Sequence, residues 1–155
     1  AGRAIAVQCA MEKCARLVLV NRTFEKAQLL AAELAPYFLS EPTSGSDDRV
    51  VAIRLEDGDL RRELKNADIL INATSLGMDR SDAPVVAASL LHSNLLVYDA
   101  VYTRGGSRLL DDAVAAGARA ANGLGMLLHQ GALAFEIWFN RPAPLEVMRQ
   151  ALLAH

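Results

Sequence analysis

The sequence predicts an α/β fold built on a doubly wound parallel sheet. Short apolar segments alternate with longer amphipathic segments along almost all of the 155 residues. The best strand candidate, Arg16 to Val20, contains an unbroken run of apolar residues, which is typical of parallel strands that are buried on both faces. Strands separated by helices imply parallel pairing through right-handed crossovers.

The predicted elements follow one another in a regular order. Gly2 to Cys14 is predicted to be the first helix, and Arg16 to Val20 the first strand. A helical repeat of apolar residues begins at Phe24, with Thr23 as its N-cap, and Pro36 ends that helix. The other predictions are a loop at Glu41 to Asp48, strands at Val50 to Leu55, Asp68 to Asn72, Leu95 to Asp99 and Ala118 to Ala121, and helices at Gly58 to Asn66, Ser107 to Ala116, Leu124 to Asn140 and Leu145 to Ala154.

Composition limits the classes of function. The net charge is −2 with 22% charged residues, so there is no broad basic surface for nucleic acid or an anionic membrane. Every long apolar stretch is interrupted, which predicts no membrane span. Cys9 and Cys14 form neither a CxxC pair nor a set of metal ligands, so we expect a reduced, cytoplasmic setting and no metal.

The start of the chain suggests that an element is missing. Ala1 and Gly2 come directly before the first predicted helix, without a strand ahead of them. A Rossmann-type unit begins with a strand, a glycine-rich turn and a helix, and the dinucleotide pyrophosphate rests on that turn. Gly2 and Asn21 are 19 residues apart, close to the roughly 20 residues between the glycine turn and the ribose contact. We therefore expect a fragment of a longer protein, with the first, central strand of the sheet outside this chain.

The turn formed by Asn21, Arg22 and Thr23 lies where that ribose contact is expected. A carboxylate at this place accepts a hydrogen bond from the 2′-hydroxyl of NAD, whereas a cation accommodates the 2′-phosphate of NADP. Because a guanidinium can hold phosphate oxygens through two parallel donors, the turn favours NADP over NAD. The alternative is a polar turn that only caps the next helix.

Three further segments follow predicted strands. Asn72 to Met78 (NATSLGM) and Tyr98 to Tyr102 (YDAVY) end at one edge of the sheet, where open parallel sheets bind ligands. Gly123, Met126 and Gln130 share one helix face that we expect to point to the crevice, although simple burial would also explain Gln130. The opposite face is predicted to lie in the core and carries Leu127, Gly131, Ala134, Phe135 and Trp138.

Taken in this order, these landmarks resemble the shikimate dehydrogenase family, including its shikimate/quinate branch. The matching segments are Ala1 to Ala4, Asn21 to Thr23, Asn72 to Met78, Asp99 to Tyr102 and Gly123 to Ala132. The resemblance implies that residues 1–155 are the C-terminal NADP-binding domain of an oxidoreductase that interconverts 3-dehydroshikimate and shikimate in aromatic amino acid biosynthesis. The catalytic Lys-Asp pair would belong to an N-terminal domain outside this chain, so we expect no catalytic residue here and no activity from this fragment alone.

The resemblance also implies residue roles. Tyr102 and Gln130 would reach the hydroxyls or the carboxylate of shikimate or quinate. Phe24 stands where relatives that accept NAD tend to carry an acid, which again favours NADP, although Glu25 is close by. The implied cofactor contacts are Ala1, Gly2, Asn21, Arg22, Thr23, Lys26, Thr74, Ser75, Ala100, Val101, Gly123 and Met126.

Two departures from the family pattern bear on the substrate. Arg104 stands where relatives usually have proline, and the loop from Pro36 to Asp48 is longer than in narrow-specificity shikimate enzymes, which leans toward the shikimate/quinate branch. The sequence leaves this preference open, as it does the choice between monomer and homodimer. Two other classes of function also stay open: the folate dehydrogenase or glutamyl-tRNA reductase group, and a non-catalytic domain that senses NADP.

Overall fold

The computed structural model describes residues 1–38, 49–77, 82–102 and 106–154. Arg104 and the loop predicted at Glu41 to Asp48 lie outside these ranges. The chain divides into two compact units, Ala1–Ala67 and Asp68–His155. No helix within the described ranges has both the length and the apolar character that a membrane crossing requires.

The first unit packs three helices with two parallel strands. The helices are α1 (Gly2–Met11), α2 (Phe24–Leu34) and α3 (Asp57–Leu64), and the strands are β1 (Leu17–Val20) and β2 (Val50–Ile53). The strands pair in parallel with Val20 opposite Ile53 at their carboxyl ends. A 3-10 turn, Ala35–Tyr37, directly follows α2. The core of this unit is formed by Ala6, Ala10, Leu34 and Phe38, with Val7, Cys14, Leu17, Leu19, Leu30 and Val50 packed against them.

Helix α1 ends at Met11, three residues earlier than predicted. Lys13 has a φ of 55°, in the left-handed region, so the chain leaves the helix there. Its N–H donates to the carbonyl of Ala10 (3.0 Å), and the N–H of Cys14 donates to the carbonyl of Cys9 (3.1 Å), which together form a Schellman motif. Cys14 therefore lies beyond the helix, and partial burial raises the pKa of both thiols above the ordinary value.

The second unit contains a three-stranded parallel sheet. Its strands are β3 (Ile69–Asn72), β4 (Leu96–Asp99) and β5 (Arg119–Asn122), in the order β3-β4-β5. The register aligns Asn72 with Asp99 and Asp99 with Asn122 at the carboxyl ends. The remaining elements are a 3-10 turn, Ala88–Leu90, and the helices α4 (Arg108–Ala115), α5 (Leu124–Phe139) and α6 (Leu145–Leu153).

The order of the strands confirms the predicted fold class. A doubly wound sheet of the Rossmann type has the strand order 3-2-1-4-5-6. In each unit the described strands that are consecutive along the chain also pair in parallel, with the orders β1-β2 and β3-β4-β5. Each predicted helix and strand is found, with its ends displaced by no more than three residues.

The predicted core face of α5 is wrong. Leu127 and Trp138 were expected to be buried, but their exposed fractions are 36% and 76%. Leu128 and Ala132, with 3% and 7% exposed, are the buried residues of the helix. Because α5 carries apolar residues on nearly every side, its periodicity does not select a face, and packing against its neighbours, α6 among them, decides which residues are covered.

Candidate functional site

The turn after β1 is ordered by the side chain of Asn21. The Asn21 Oδ1 accepts a hydrogen bond from the N–H of Thr23 at 2.9 Å, which is an Asx-turn. Thr23 is the N-cap residue of α2, as predicted, but its hydroxyl forms no capping bond. The N–H of Lys26 donates to the Thr23 carbonyl at 3.1 Å. Arg22 therefore projects from a defined turn and is exposed to solvent.

A cleft of about 250 Å³ opens beside this turn in the first unit. Typical small-molecule pockets measure about 300–1,000 Å³, so the cleft suits one end of a dinucleotide and not the whole cofactor. Arg54 also reaches it and was missed by the sequence analysis. Parallel pairing of β1 with β2 could have revealed Arg54, because Asn21 and Arg54 directly follow the last paired residues, Val20 and Ile53. The lining residues are Asn21, Arg22, Phe24, Arg54, Leu55 and Glu56.

The predicted residues at the start of the chain lie at a helix terminus. Ala1 is the N-cap residue of α1 and Gly2 is its first residue, with no acidic side chain in the first turn. The N–H groups at the start of a helix point outward and favour anions.

The turn after β3 is held by Asn72 and Thr74. The Thr74 hydroxyl donates to Asn72 Oδ1 at 2.8 Å and accepts from the N–H of Leu76 at 3.0 Å. The hydroxyl of Thr74 is therefore occupied in shaping the turn. Ser75 is exposed, and its hydroxyl has no partner within the described ranges. The Ser75 hydroxyl can therefore bind a ligand without breaking a hydrogen bond, whereas the Thr74 hydroxyl cannot.

A buried polar network joins this turn to the one after β4. The Nδ2 of Asn72 donates to Asp99 Oδ1 at 2.9 Å, and the same oxygen accepts from the N–H of Val101 at 3.0 Å. The Ser107 hydroxyl donates to the other carboxylate oxygen. Asn72, Asp99 and Ser107 are only 1%, 0% and 4% exposed. The network therefore fixes the two turns relative to each other, which the sequence did not reveal although it named both segments.

Gly123 lies at the junction of β5 and α5, in close contact with the turn after β4. A Cβ on Gly123 would lie 2.6 Å from the carbonyl oxygen of Ala100, so only glycine fits without a backbone shift. Met126 is half-buried on α5, whereas Tyr102 and Gln130 are exposed. No hydrogen bond joins Tyr102 to Gln130 within the described part of the chain.

The structure thus brings the predicted residues together in two groups. The first group surrounds the turn after β1, and the second lies at the carboxyl edge of the three-stranded sheet. Among the described residues, no three histidine, cysteine or acidic side chains form a metal-binding cluster. The first group contains Asn21, Arg22, Thr23 and Lys26, and the second Thr74, Ser75, Ala100, Val101 and Gly123.

Parallel strands joined by helices, with polar turns at the carboxyl ends, define a doubly wound α/β domain of the dinucleotide-binding class. Comparison with known proteins shows what the chain is similar to. Residues 123–153 match the Shikimate 5'-dehydrogenase C-terminal domain. The chain is 42% identical to the shikimate dehydrogenase (NADP(+)) of Methanopyrus kandleri, over all of this chain and 51% of that protein. Over its whole length the chain is similar to about half of these NADP(+)-dependent shikimate dehydrogenases.

Two solved structures of differently named enzymes are similar to this chain. A shikimate dehydrogenase in complex with NADP+ has a TM-score of 0.80 and 35% identity, over 97% of this chain and 50% of that chain. The ligand-free 5-ketofructose reductase of Gluconobacter sp. strain CHM43 has a TM-score of 0.70 and 33% identity, over 98% and 52%. The chain spans about half the length of the curated relatives it matches.

Proposed function

We propose that this chain is the NADP-binding domain of a cytoplasmic oxidoreductase that interconverts 3-dehydroshikimate and shikimate, a reaction of aromatic amino acid biosynthesis. The whole of residues 1–155 serves as that domain. The relatives named as NADP(+)-dependent shikimate dehydrogenases support this assignment. The observation that carries it is the ordered turn that presents the Arg22 guanidinium to a cleft at the end of β1.

The first group of residues suits the adenosine end of NADP. Arg22 and Lys26 supply positive charge to the 2′-phosphate. Asn21 and Thr23 fix the turn that carries Arg22, and Lys26 lies in the first turn of α2. Ala1 and Gly2, at the start of α1, offer backbone N–H groups to the pyrophosphate. NAD fits less well, because the turn carries a cation where NAD-dependent enzymes place a carboxylate for the 2′-hydroxyl.

The second group suits the nicotinamide end. Ser75, Ala100, Val101, Gly123 and Met126 line the path of the cofactor, and Thr74 shapes the turn that holds Ser75. When bound, the nicotinamide supplies the hydride chemistry. The residues of this chain hold it in place, and the buried Asn72–Asp99 pair keeps the two contacting turns at a fixed separation.

Two exposed side chains suit the substrate. Tyr102 and Gln130 offer a hydroxyl and an amide to the hydroxyls or the carboxylate of shikimate. The Lys-Asp pair that would transfer the hydroxyl proton is assigned to an N-terminal domain of the whole protein. This chain would then form the cofactor site and one wall of the substrate pocket.

Steady-state kinetics of the full-length protein test this function. We expect turnover of shikimate with a strong preference for NADP+ over NAD+. Comparable turnover of quinate would assign the protein to the dual-substrate branch. Tight NADP+ binding without turnover of either acid would contradict the enzymatic assignment and favour a non-catalytic NADP-sensing domain.

The Arg22→Ala variant tests the assignment of the 2′-phosphate site. Charge-assisted hydrogen bonds contribute about 1.5–3 kcal/mol each, so NADP+ affinity should fall roughly tenfold or more. NAD+ affinity should change little, because NAD has no 2′-phosphate. An equal loss for both cofactors would remove Arg22 from this role.

A further inference from the structure

The cleft beside β1 receives a second guanidinium, that of Arg54. In the parallel register, Val20 and Ile53 are the last paired residues. The next residues, Asn21 and Arg54, therefore leave the sheet side by side at its carboxyl edge. This placement brings Arg54 into the same cleft as Arg22.

The Arg54 guanidinium is held by an aromatic ring. Its central carbon lies 4.4 Å from the ring centroid of Phe24, within the range of a cation–π interaction. This contact depends on the positive charge of the group and leaves its N–H donors available to an anion. Phe24 therefore orients Arg54 without consuming its hydrogen-bonding capacity.

Neither guanidinium is neutralised by an ion pair within the described ranges. No acidic side chain in the described part of the chain forms an ion pair with Arg22 or Arg54. Glu56, the residue that precedes α3, also lines the cleft and opposes the two positive charges. The two arginines and Glu56 leave the cleft walls with an excess of one positive charge.

A phosphomonoester matches this arrangement better than a hydroxyl does. It carries a charge of about −1.5 to −2 at pH 7 and three acceptor oxygens, so Arg22 does not neutralise it by itself. Lys26 is not among the residues that line the cleft. Two guanidiniums that approach from neighbouring strands can each donate to different oxygens. An unphosphorylated ribose offers no charge to either of them.

We propose that Arg54 is a further specificity-determining residue for the 2′-phosphate of the dinucleotide, acting together with Arg22 and Lys26. This inference rests on the proposed function and extends it to a residue outside the Asn21–Thr23 turn. Glu56 has the opposite effect and weakens phosphate binding by repulsion.

Calorimetric titration of the full-length protein with NADP+ and with NAD+ tests the role of Arg54. For Arg54→Gln we expect NADP+ affinity to fall about tenfold or more, with less than about a twofold change for NAD+. Arg54→Lys should bind NADP+ with intermediate affinity, because an ammonium keeps the charge but loses the planar fork. Glu56→Gln should bind NADP+ more tightly.

Arg61→Gln is the matched control, since Arg61 is an exposed arginine on α3 that does not line the cleft. It removes the same charge and should leave the affinities for both cofactors unchanged. If Arg61→Gln and Arg54→Gln lowered the affinity for NADP+ equally, the effect would come from the net charge of the protein, and the proposal would be overturned.

The outcomes separate this inference from the proposed function. If Arg22→Ala weakens NADP+ but Arg54→Gln does not, the NADP site stands and the role of Arg54 is refuted. If Arg54→Gln weakens the binding of NADP+ and NAD+ equally, Arg54 does not contact the 2′-phosphate. A wild-type protein that binds neither dinucleotide would overturn both proposals.

Discussion

Replacement of Gly123 by alanine is the sharpest test of how the carboxyl edge of the three-stranded sheet is built. The added Cβ would lie 2.6 Å from the Ala100 carbonyl oxygen and 3.0 Å from its Cα and carbonyl carbon. All three are backbone atoms, so no side-chain rotation can relieve the clash. To reach an ordinary contact of 3.4 Å, the turn after β4 or the start of α5 must move by about 0.8 Å.

The cost of Gly123→Ala can be estimated from overpacking. Added methyl groups in well-packed sites typically cost about 1–3 kcal/mol. Alanine recovers about 0.4–1 kcal/mol by restricting the unfolded chain, since the φ of −78° at Gly123 suits it. A net loss of about 1–2 kcal/mol would lower Tm by roughly 2–8 °C. Circular dichroism during heating of the full-length protein measures this change.

Gly125→Ala is the matched control for this variant. Gly125 is two residues further along, inside α5, and a Cβ there would meet no atom within 4 Å. Because alanine is a better helix former than glycine by about 1 kcal/mol, this variant should be at least as stable as the wild type. A Gly123→Ala protein with unchanged Tm would refute the contact with Ala100, and a Gly125→Ala protein of equally reduced stability would show that the effect is not specific to that contact.

Three further predictions concern burial and charge. Asp99→Ala removes the acceptor of the buried network, and each donor left unsatisfied costs about 1–3 kcal/mol. Urea unfolding of this variant should therefore show one of the largest losses of stability in the chain. A loss below about 1 kcal/mol would contradict the network. Arg3→Ala breaks an exposed ion pair with Glu33 (2.7 Å) and should change the unfolding free energy by no more than about 1 kcal/mol. A larger loss would mean that Arg3 stabilises the fold through contacts other than this ion pair. Partial burial raises the pKa of the Cys9 and Cys14 thiols above their ordinary value, so iodoacetamide at pH 8 should modify both more slowly than free cysteine. Since the raised pKa belongs to the folded state, these thiols favour folding less as pH rises above 9, and alkylation as fast as that of free cysteine would refute the burial.

The cofactor side of the candidate site could be found from local sequence. Asn21, Arg22 and Thr23 follow an unbroken apolar run, and this order alone located a turn at the carboxyl end of a parallel strand. The structure places these residues in that turn. Their contacts with a cofactor stay a prediction, which the titrations above address.

Other parts of the site depended on pairing between distant segments. Arg54 is 33 residues from Asn21 in the sequence, and only the β1–β2 register makes them neighbours. The Asn72–Asp99 bond likewise spans 27 residues and exists because β3 and β4 pair in parallel at those positions. The sequence shows which residues end each strand but not which residues of two strands lie side by side, because the register is set by the packing of whole strands.

The class of fold, the order of the helices and strands, and the turns that carry polar groups could be predicted from the amino-acid sequence, because they depend on periodicity and on residues close in the chain. The tertiary structure alone decided that Leu128 and Ala132 form the buried face of α5, that Asp99 satisfies donors from two turns, and that Arg54 reaches the cleft beside Arg22. The physical reason is that burial and hydrogen bonding of these groups depend on elements far away in the chain, whose positions no local pattern encodes.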